Sequence, residues 1–410
     1  MCAAMKRIVA IDILRGFALL GILLMNIMGF AMPDAAYSNP NVYGGESFIN
    51  HLIYGVLHVL ADQKFMAIFS MLFGASVMLL SSKSRAQGRT VAAIHYIRNV
   101  WLLVFGLVHF FFIWSGDILT IYALCAFVLY FFRTVPARVQ LILGLVIFFL
   151  PSGVNLFISS QLAGVDAASL ASLEAQVSPS KGMIARDLEI FRGPYSGQLA
   201  YRLGDSDSDL TYTEGDAFAL LAFFAEAFGR SFGMMLIGMA LYSLGILTAS
   251  RSRRFYKRML FIGLVIGIPA TSFGLYQLYA HDWEASYSLF LGRIPNHIAT
   301  PFTAAGYIAL IMLWSKSRFA HDLQSRFADV GRMALSNYIG QSLLATFIFY
   351  GFGYGLYGSL DRTRLIFVVL GIWSLQLLVS PLWLSRFRYG PLEWLWRSLT
   401  YRRLERLRKL

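Results

Sequence analysis

Apolar residues along this chain come in blocks separated by short polar or basic stretches. A helix needs roughly 17–25 predominantly apolar residues to cross the hydrocarbon core of a bilayer, and the blocks fall near that length. They predict helical spans over 8–32, 65–82, 99–115, 118–133, 137–158, 217–248, 256–279, 295–315, 332–354 and 364–385. The sixth is too long for a plain crossing, which predicts extra turns outside the membrane or a tilt. The third and fourth make a tight helical hairpin around Ser115-Gly116-Asp117. The pattern predicts an all-α, polytopic transmembrane bundle of about ten spans over 1–385, followed by a basic tail, 386–410.

Two segments between spans are long. Residues 33–64 open on turn chemistry (Pro33-Asp34, Asn39-Pro40, Gly44-Gly45). They continue as an amphipathic stretch over 47–61 that reads as lying on the outer surface. Residues 159–216 are polar and end in an acidic run (Asp205, Asp207, Asp209, Glu214, Asp216) that reads as a solvated loop. Both belong to the extracytoplasmic side in this reading. Pro391–Leu410 sets Trp394 and Trp396 before a basic run, the composition of a cytoplasmic interfacial helix at a membrane surface.

Composition strengthens the membrane reading. The chain is 57% apolar and 14% charged, whereas a soluble domain has roughly 45–50% and about 25%. A net charge of +13 would suggest nucleic acid in a soluble protein. Here the basic residues sit at the ends of apolar blocks, so topology accounts for them and no nucleic-acid partner is expected. With the N-terminus inside, the inner segments hold 25 of the 35 Lys and Arg residues and the outer segments 8. That bias puts both termini in the cytoplasm. The first block carries Asp12 and Arg15 and has no small-residue cleavage pattern after it, so it reads as a span, not a signal peptide. Cys2 and Cys125 cannot build a disulfide framework or a metal cluster.

Ionisable residues within spans carry the candidate chemistry, because each costs at least about 2.5–3.5 kcal/mol. Asp12 and Arg15 lie three apart on one helical face, either as a self-neutralising pair or with Arg15 facing a phosphate or carboxylate. Glu226 and Arg230 lie four apart on the sixth span. His109, in the outer half of the third span, can exchange a proton near neutral pH. Asp117 follows eight residues later, roughly 12 Å along a continuous helix, so the two pair only if the hairpin folds back; alone, Asp117 caps the fourth helix. Lys64 opens the second span beside Asp62. His297 lies between Pro295 and Pro301, where irregular backbone is expected. His51 and His58 read as interfacial, and His95, His281 and His321 as loop residues without a role. The ninth span groups Arg332, Ser336, Asn337, Gly340 and Gln341 on one face, either for helix packing or as a polar path from the cytoplasm. Walker, HExxH and Gly-x-Ser-x-Gly motifs are absent.

Several segments together resemble the YeiB family of bacterial membrane proteins, long labelled a domain of unknown function. They are Ile11-Asp12-Ile13-Leu14-Arg15-Gly16 through Ile22 with Asn26, Lys64-Phe65 through Phe73-Gly74, and Gly106, His109, Trp114 and Gly116-Asp117-Ile118-Leu119. Later come Gly331-Arg332-Met333-Ala334-Leu335-Ser336-Asn337-Tyr338 with Gln341-Ser342, and Gly390-Pro391-Leu392-Glu393-Trp394-Leu395-Trp396-Arg397. The resemblance runs almost end to end; the loop 159–216, His51, His58 and His297 fall outside its motifs. It implies a multi-pass protein of the bacterial inner membrane. The Asp-x-x-Arg-Gly start is in turn similar to that of membrane acyltransferases related to heparan-glucosaminide acetyltransferase and to sugar O-acyltransferases.

That second similarity implies transfer of an acyl group from cytoplasmic acyl-CoA to an acceptor at the outer side, with a histidine as base and no metal. On this expectation His109 and Asp117 are catalytic, and Lys64, Glu226, Arg230 and Asn26 contact the acceptor, a small molecule or glycan. Arg15, Asp12, Arg332, Asn337, Gln341 and the basic loop 251–258 serve acyl-CoA, whose arm runs between the first, third, sixth and ninth spans. Membrane lipids and a second copy of the chain are the expected partners. The alternative is a transporter or lipid-handling protein that uses the same residues as a substrate path.

Overall fold

A computed structural model describes residues 7–86, 91–203 and 214–409. Its first half holds α1 (Val9–Ala31), α2 (Ala35–Ser38), α3 (Phe48–Leu60), α4 (Lys64–Ala86), α5 (Val91–Phe112), α6 (Leu119–Leu129) and α7 (Ala137–Gln161). Three shorter helices follow: α8 (Ala167–Val177), α9 (Lys181–Arg192) and α10 (Tyr195–Leu203). The second half holds α11 (Glu214–Ser243), α12 (Arg253–Ala280), α13 (Ala285–Ser288), α14 (Ile294–Ser315), α15 (His321–Arg332), α16 (Ala334–Phe349), α17 (Arg362–Arg386) and α18 (Pro391–Tyr401). The fold is all-α. Among the described residues the β pairing is a single isolated bridge, Phe387 with Arg408.

The burial pattern reverses that of a soluble protein. Large apolar side chains point outward from the long helices, among them Ile142, Val146 and Leu150 on α7, Phe261 and Phe273 on α12, and Phe367 and Leu382 on α17. Buried positions include Lys64, His109, Thr271, Gln376 and Ser380. An apolar exterior of this extent needs lipid around it. Eight helical segments among the described residues are long and apolar enough to cross a membrane: Val9–Ala31, Phe48–Ser82, Val91–Phe112, Ala137–Gly164, Leu221–Ser243, Arg253–Ala280, Leu291–Ser315 and Arg362–Arg386. The other two expected spans are helical but short. The fourth is α6 plus a 3₁₀ turn, Leu119–Thr134. The ninth, α16, has 16 residues, about 24 Å at the α-helical rise.

Several expectations change. The third span begins at Val91, not near 99, which brings His95 and Arg98 into a helix. The segment 159–216 holds helices, because Asp166 and Ser180 cap α8 and α9 by accepting the backbone N–H groups of Ser169 and Met183. Asp205, Asp207 and Asp209 of the acidic run lie outside the described residues. Pro295 and Pro301 do not break the backbone around His297: Pro295 sits in the first turn of α14, where no intrahelical N–H is needed, and the helix continues to Ser315. The stretch 47–61 is helical, but its exposed face is the apolar one (Phe48, Leu52, Val56), while Asn50 and Tyr54 are covered.

α1 is the axis of the bundle and packs against α4, α14, α15, α16 and α17. Its crossing with α15 is close enough to exclude side chains. A Cβ on Gly16 would lie 2.0 Å from the Phe327 carbonyl oxygen, and one on Gly331 2.0 Å from that of Asp12. This backbone contact brings the neighbouring Arg15 and Arg332 to a common cavity.

Candidate functional site

The turn Ile113–Ile118 reverses the chain between α5 and α6. His109 lies in the last turn of α5, its carbonyl accepting the amides of Ile113 and Trp114. Gly106 lets α6 approach, since a Cβ there would sit 2.5 Å from the Thr120 nitrogen. The hairpin folds back far enough for Asp117 to reach His109. The Asp117 carboxylate divides its oxygens: Oδ2 accepts the Thr120 amide at 2.7 Å and caps α6, while Oδ1 lies 2.9 Å from His109 Nδ1. Both side chains are fully buried.

The opposite ring nitrogen has a partner that sequence reasoning left without a role of its own. His109 Nε2 lies 2.8 Å from Ser342 Oγ on α16. With Asp117 as a carboxylate, which only accepts, Nδ1–H faces it and Nε2 is left to accept the Ser342 hydroxyl; Ser342 Oγ also lies 3.4 Å from the Tyr338 carbonyl one turn back. The result is a buried Asp117–His109–Ser342 relay with the connectivity of a serine nucleophile, its base and the base's orienting group. Trp114 packs over it against Phe30, with ring centroids 3.9 Å apart.

A cavity of about 280 Å³ reaches toward this relay from the basic end of the bundle. α1, α4, α5, α6, the α15–α16 junction and α18 wall it. Its lining includes Arg15, Arg98, Arg332 and Arg397, with Leu102, Leu119, Tyr122 and Tyr338 among the remainder. The Tyr338 ring separates cavity from relay, 5.2 Å from the His109 ring. Its hydroxyl accepts the Ile118 amide at 3.3 Å. α18 is part of this wall and not a free interfacial tail. Glu393 accepts the Leu335 and Ser336 amides at the start of α16, Trp396 donates to the Arg98 carbonyl, and the Arg98 guanidinium lies 3.9 Å over the Trp396 ring.

Arg15 also reaches Asp12 at 3.2 Å, and Asp12 is held from its other side by Arg7 at 2.5 Å. Arg332 pairs with Asp329 at 2.9 Å. The remaining residues expected to serve acyl-CoA are elsewhere. Asn337 bonds the Val330 carbonyl and Ser380, and Gln341 bonds Gln376, so these two amides join α16 to α17. The basic segment 251–258, expected as a loop, opens α12 from Arg253 on and also lies away from the cavity wall; within it, Arg251 binds the Leu244 carbonyl and Arg253 that of Lys316. The sixth expected span, α11, packs on α4 and α7 and does not line the cavity.

Lys64, Glu226 and Arg230 belong to a second polar region. Lys64, fully buried, bonds Asn296 and the His58 carbonyl, and Asn296 donates to Asp62 at 2.7 Å. Tyr37 adds a bond to Asp62 at 2.9 Å, and the half-buried His58 turns its Nδ1 inward to 3.5 Å from Asp62. Glu226 accepts from Asn155, Arg230 and Arg293 at 3.2, 3.0 and 3.2 Å. Arg230 Nε, Asn155 Oδ1 and His297 Nδ1 are buried here without a hydrogen-bond partner among the described residues. Among the described residues no hydrogen bond joins either group to the His109 relay. Asn26 is half-buried on α1, and its side chain makes no hydrogen bond among the described residues. His95, expected in a loop, is buried in the cavity wall and lies 2.9 Å from the Ala126 carbonyl. Its i, i+4 pairing with Asn99 within α5 was the sequence signal for that helix start.

An apolar-surfaced helical bundle with a buried Asp117–His109–Ser342 hydrogen-bonded chain and a basic-mouthed cavity defines a class: a multi-helix integral membrane protein with an internal polar site. The chain belongs to the YeiB family. It is 34% identical over 402 residues to the uncharacterized protein YeiB of Escherichia coli (strain K12), covering 97% of each chain. It is 33% identical over 409 residues to the uncharacterized protein YxaH of Bacillus subtilis (strain 168), covering 97% of this chain and 94% of that one. The family described as "Protein of unknown function (DUF418)" matches residues 241–403.

Proposed function

We propose that this protein is a membrane acyltransferase that moves an acyl group from cytoplasmic acyl-CoA to an acceptor at the outer face of the bacterial inner membrane. The observation that carries the reading is the Asp117–His109–Ser342 relay, lying directly behind Tyr338 at the wall of the basic-mouthed cavity. Asp117 fixes the imidazole tautomer, and His109 takes the proton of the hydroxyl that attacks the thioester carbonyl. The cavity, about 280 Å³, is near the lower limit of ligand pockets. It suits a slender pantetheine arm with its acyl group, leaving the nucleotide at the mouth beside Arg15, Arg98, Arg332 and Arg397. The bias of Lys and Arg toward one side supports a cytoplasmic mouth and cytoplasmic termini.

The test is CoA release from acetyl-CoA and palmitoyl-CoA by protein reconstituted in inner-membrane lipids. His109→Ala abolishes release if the reading is right; an unchanged rate rejects it. A second reading, passage of a substrate without covalent change, draws on the buried cluster of Asp62, Lys64, Glu226, Arg230 and Arg293 and its unpaired polar atoms. It requires flux in proteoliposomes with no CoA consumed.

A further inference from the structure

We propose that Ser342 is the nucleophile of the site and carries the acyl group as an ester between donor and acceptor. This deepens the acyl-transfer reading and rests on it for the identity of the donor. The argument starts from the ring of His109. Both of its nitrogens are occupied, Nδ1 by Asp117 at 2.9 Å and Nε2 by Ser342 at 2.8 Å. A base that deprotonated the acceptor directly would first have to release Ser342. As the side chains stand, the hydroxyl aligned to give His109 its proton is that of Ser342.

Position adds to this. Ser342 lies one helical turn beyond Tyr338 on α16, and Tyr338 is in the cavity wall. Ser342 is itself buried outside the cavity lining, so the Tyr338 ring must turn aside for the donor to reach it. The Tyr338 hydroxyl accepts from Ile118 and has no acceptor for its own proton among the described residues. That proton is available to an oxygen on which negative charge develops.

The steps balance. In the first, the Ser342 hydroxyl proton passes to His109 Nε2 while Oγ bonds to the thioester carbonyl carbon. The carbon–sulfur bond breaks, and CoA leaves as a thiol with the proton returned from the imidazolium. In the second, an acceptor hydroxyl or amine gives its proton to His109 and bonds to the ester carbon. The bond to Ser342 breaks, and Oγ recovers the proton. A bound ester also separates the two half-reactions in time, so donor and acceptor need not occupy the site together.

The experiment treats reconstituted wild-type protein with an alkyl fluorophosphonate, which captures activated serines by losing fluoride, and separately with radiolabelled acetyl-CoA and palmitoyl-CoA. Ser342-containing peptides are read by mass spectrometry. The expected result is a phosphonate adduct on Ser342 that falls at least ~100-fold in His109→Ala, together with an acyl ester on the same residue from acyl-CoA. Exchange of labelled free CoA into acyl-CoA without acceptor is expected in wild type and absent in Ser342→Ala. Ser342→Cys, which keeps a nucleophile of similar shape, is expected to form a thioester adduct; this arm guards against misfolding of the alanine variant. Acyl transfer undiminished in Ser342→Ala overturns the proposal and leaves acyl transfer standing. No adduct on Ser342 from either reagent, or equal labelling in His109→Ala, overturns it too. A His109-dependent phosphonate adduct without CoA release supports Ser342 as nucleophile and overturns acyl-CoA as donor.

Discussion

His109 Nδ1 and Asp117 Oδ1 lie 2.9 Å apart across a helical turn that eight residues of continuous helix would have made impossible. The relation depends on α5 ending at Phe112, one turn past His109, and on Asp117 serving two partners, the imidazole and the Thr120 amide. Each half holds the other in place.

Asp117→Asn separates the two roles. The amide oxygen still caps Thr120, so the protein should fold and elute as wild type. Its NH₂ group then faces Nδ1 and imposes the other tautomer, with the Nε2 proton directed at Ser342. Acyl-transfer turnover is expected to fall by about 10⁴-fold, the loss typical of a wrong tautomer in such relays. A residual rate within tenfold of wild type would show that the carboxylate does not set the histidine.

Much of this architecture is legible along the chain, and what is hidden has a physical reason. Apolar blocks mark the long helices because lipid contact demands an uninterrupted apolar face, as on α7, α12 and α17. The Arg15-Gly16 and Gly331-Arg332 pairs are visible as sequence, but their meeting is a backbone contact between distant helices. Ser342 belongs to a segment that carries the family resemblance but gives no signal of its role, since a small residue on an apolar helix reads as packing. Its bond to His109 joins residues 233 positions apart. Asn337 and Gln341 left two readings open in the sequence, because amides on a membrane helix look alike whether they line a cavity or grip a neighbouring helix; here they bond Ser380 and Gln376 of α17.

Gly16→Ala tests the α1–α15 contact. Its added methyl would meet the Phe327 carbonyl at 2.0 Å, and backbone cannot rotate away as a side chain can. The expected cost is about 1–3 kcal/mol or more, read as a lower thermal midpoint in detergent. Because the shift separates Arg15 from Arg332, acyl-CoA binding should weaken in the same variant. An unaltered midpoint would mean that the helices sit farther apart.

Arg332→Gln removes one cation from the cavity mouth while keeping a hydrogen-bonding side chain. A charge-assisted bond is worth about 1.5–3 kcal/mol, so KM for acyl-CoA should rise roughly tenfold or more. The value of kcat should change little, because Arg332 lies away from the relay. Added salt should shrink the difference between variant and wild type. A fall in kcat at constant KM would place Arg332 in the chemistry instead.

The helices over the opposite end carry a pH dependence. Asp187 on α9 is pushed up to about 6, first by burial and then by the nearby Asp34 carboxylate. A carboxyl raised above its ordinary 3.8 contributes stability at low pH, where both states are protonated. That contribution is lost as pH rises from the ordinary value through about 6, because the unfolded chain ionises first. α9 packs on the loop after α16, with Gly351 donating to the Phe191 carbonyl and Arg192 to that of Tyr357. Asp187→Asn should flatten the fall in thermal midpoint across that interval and raise the midpoint above about pH 7. Parallel curves for variant and wild type would remove Asp187 as the cause.

The most direct measurement of the central claim is the time course of CoA release from acyl-CoA by the reconstituted protein, wild type beside His109→Gln in the same lipid. The account predicts release by wild type and a loss of at least ~100-fold in the variant, with unchanged elution and thermal midpoint. Equal rates in the two proteins, or no release by wild type with any acyl-CoA, would contradict it.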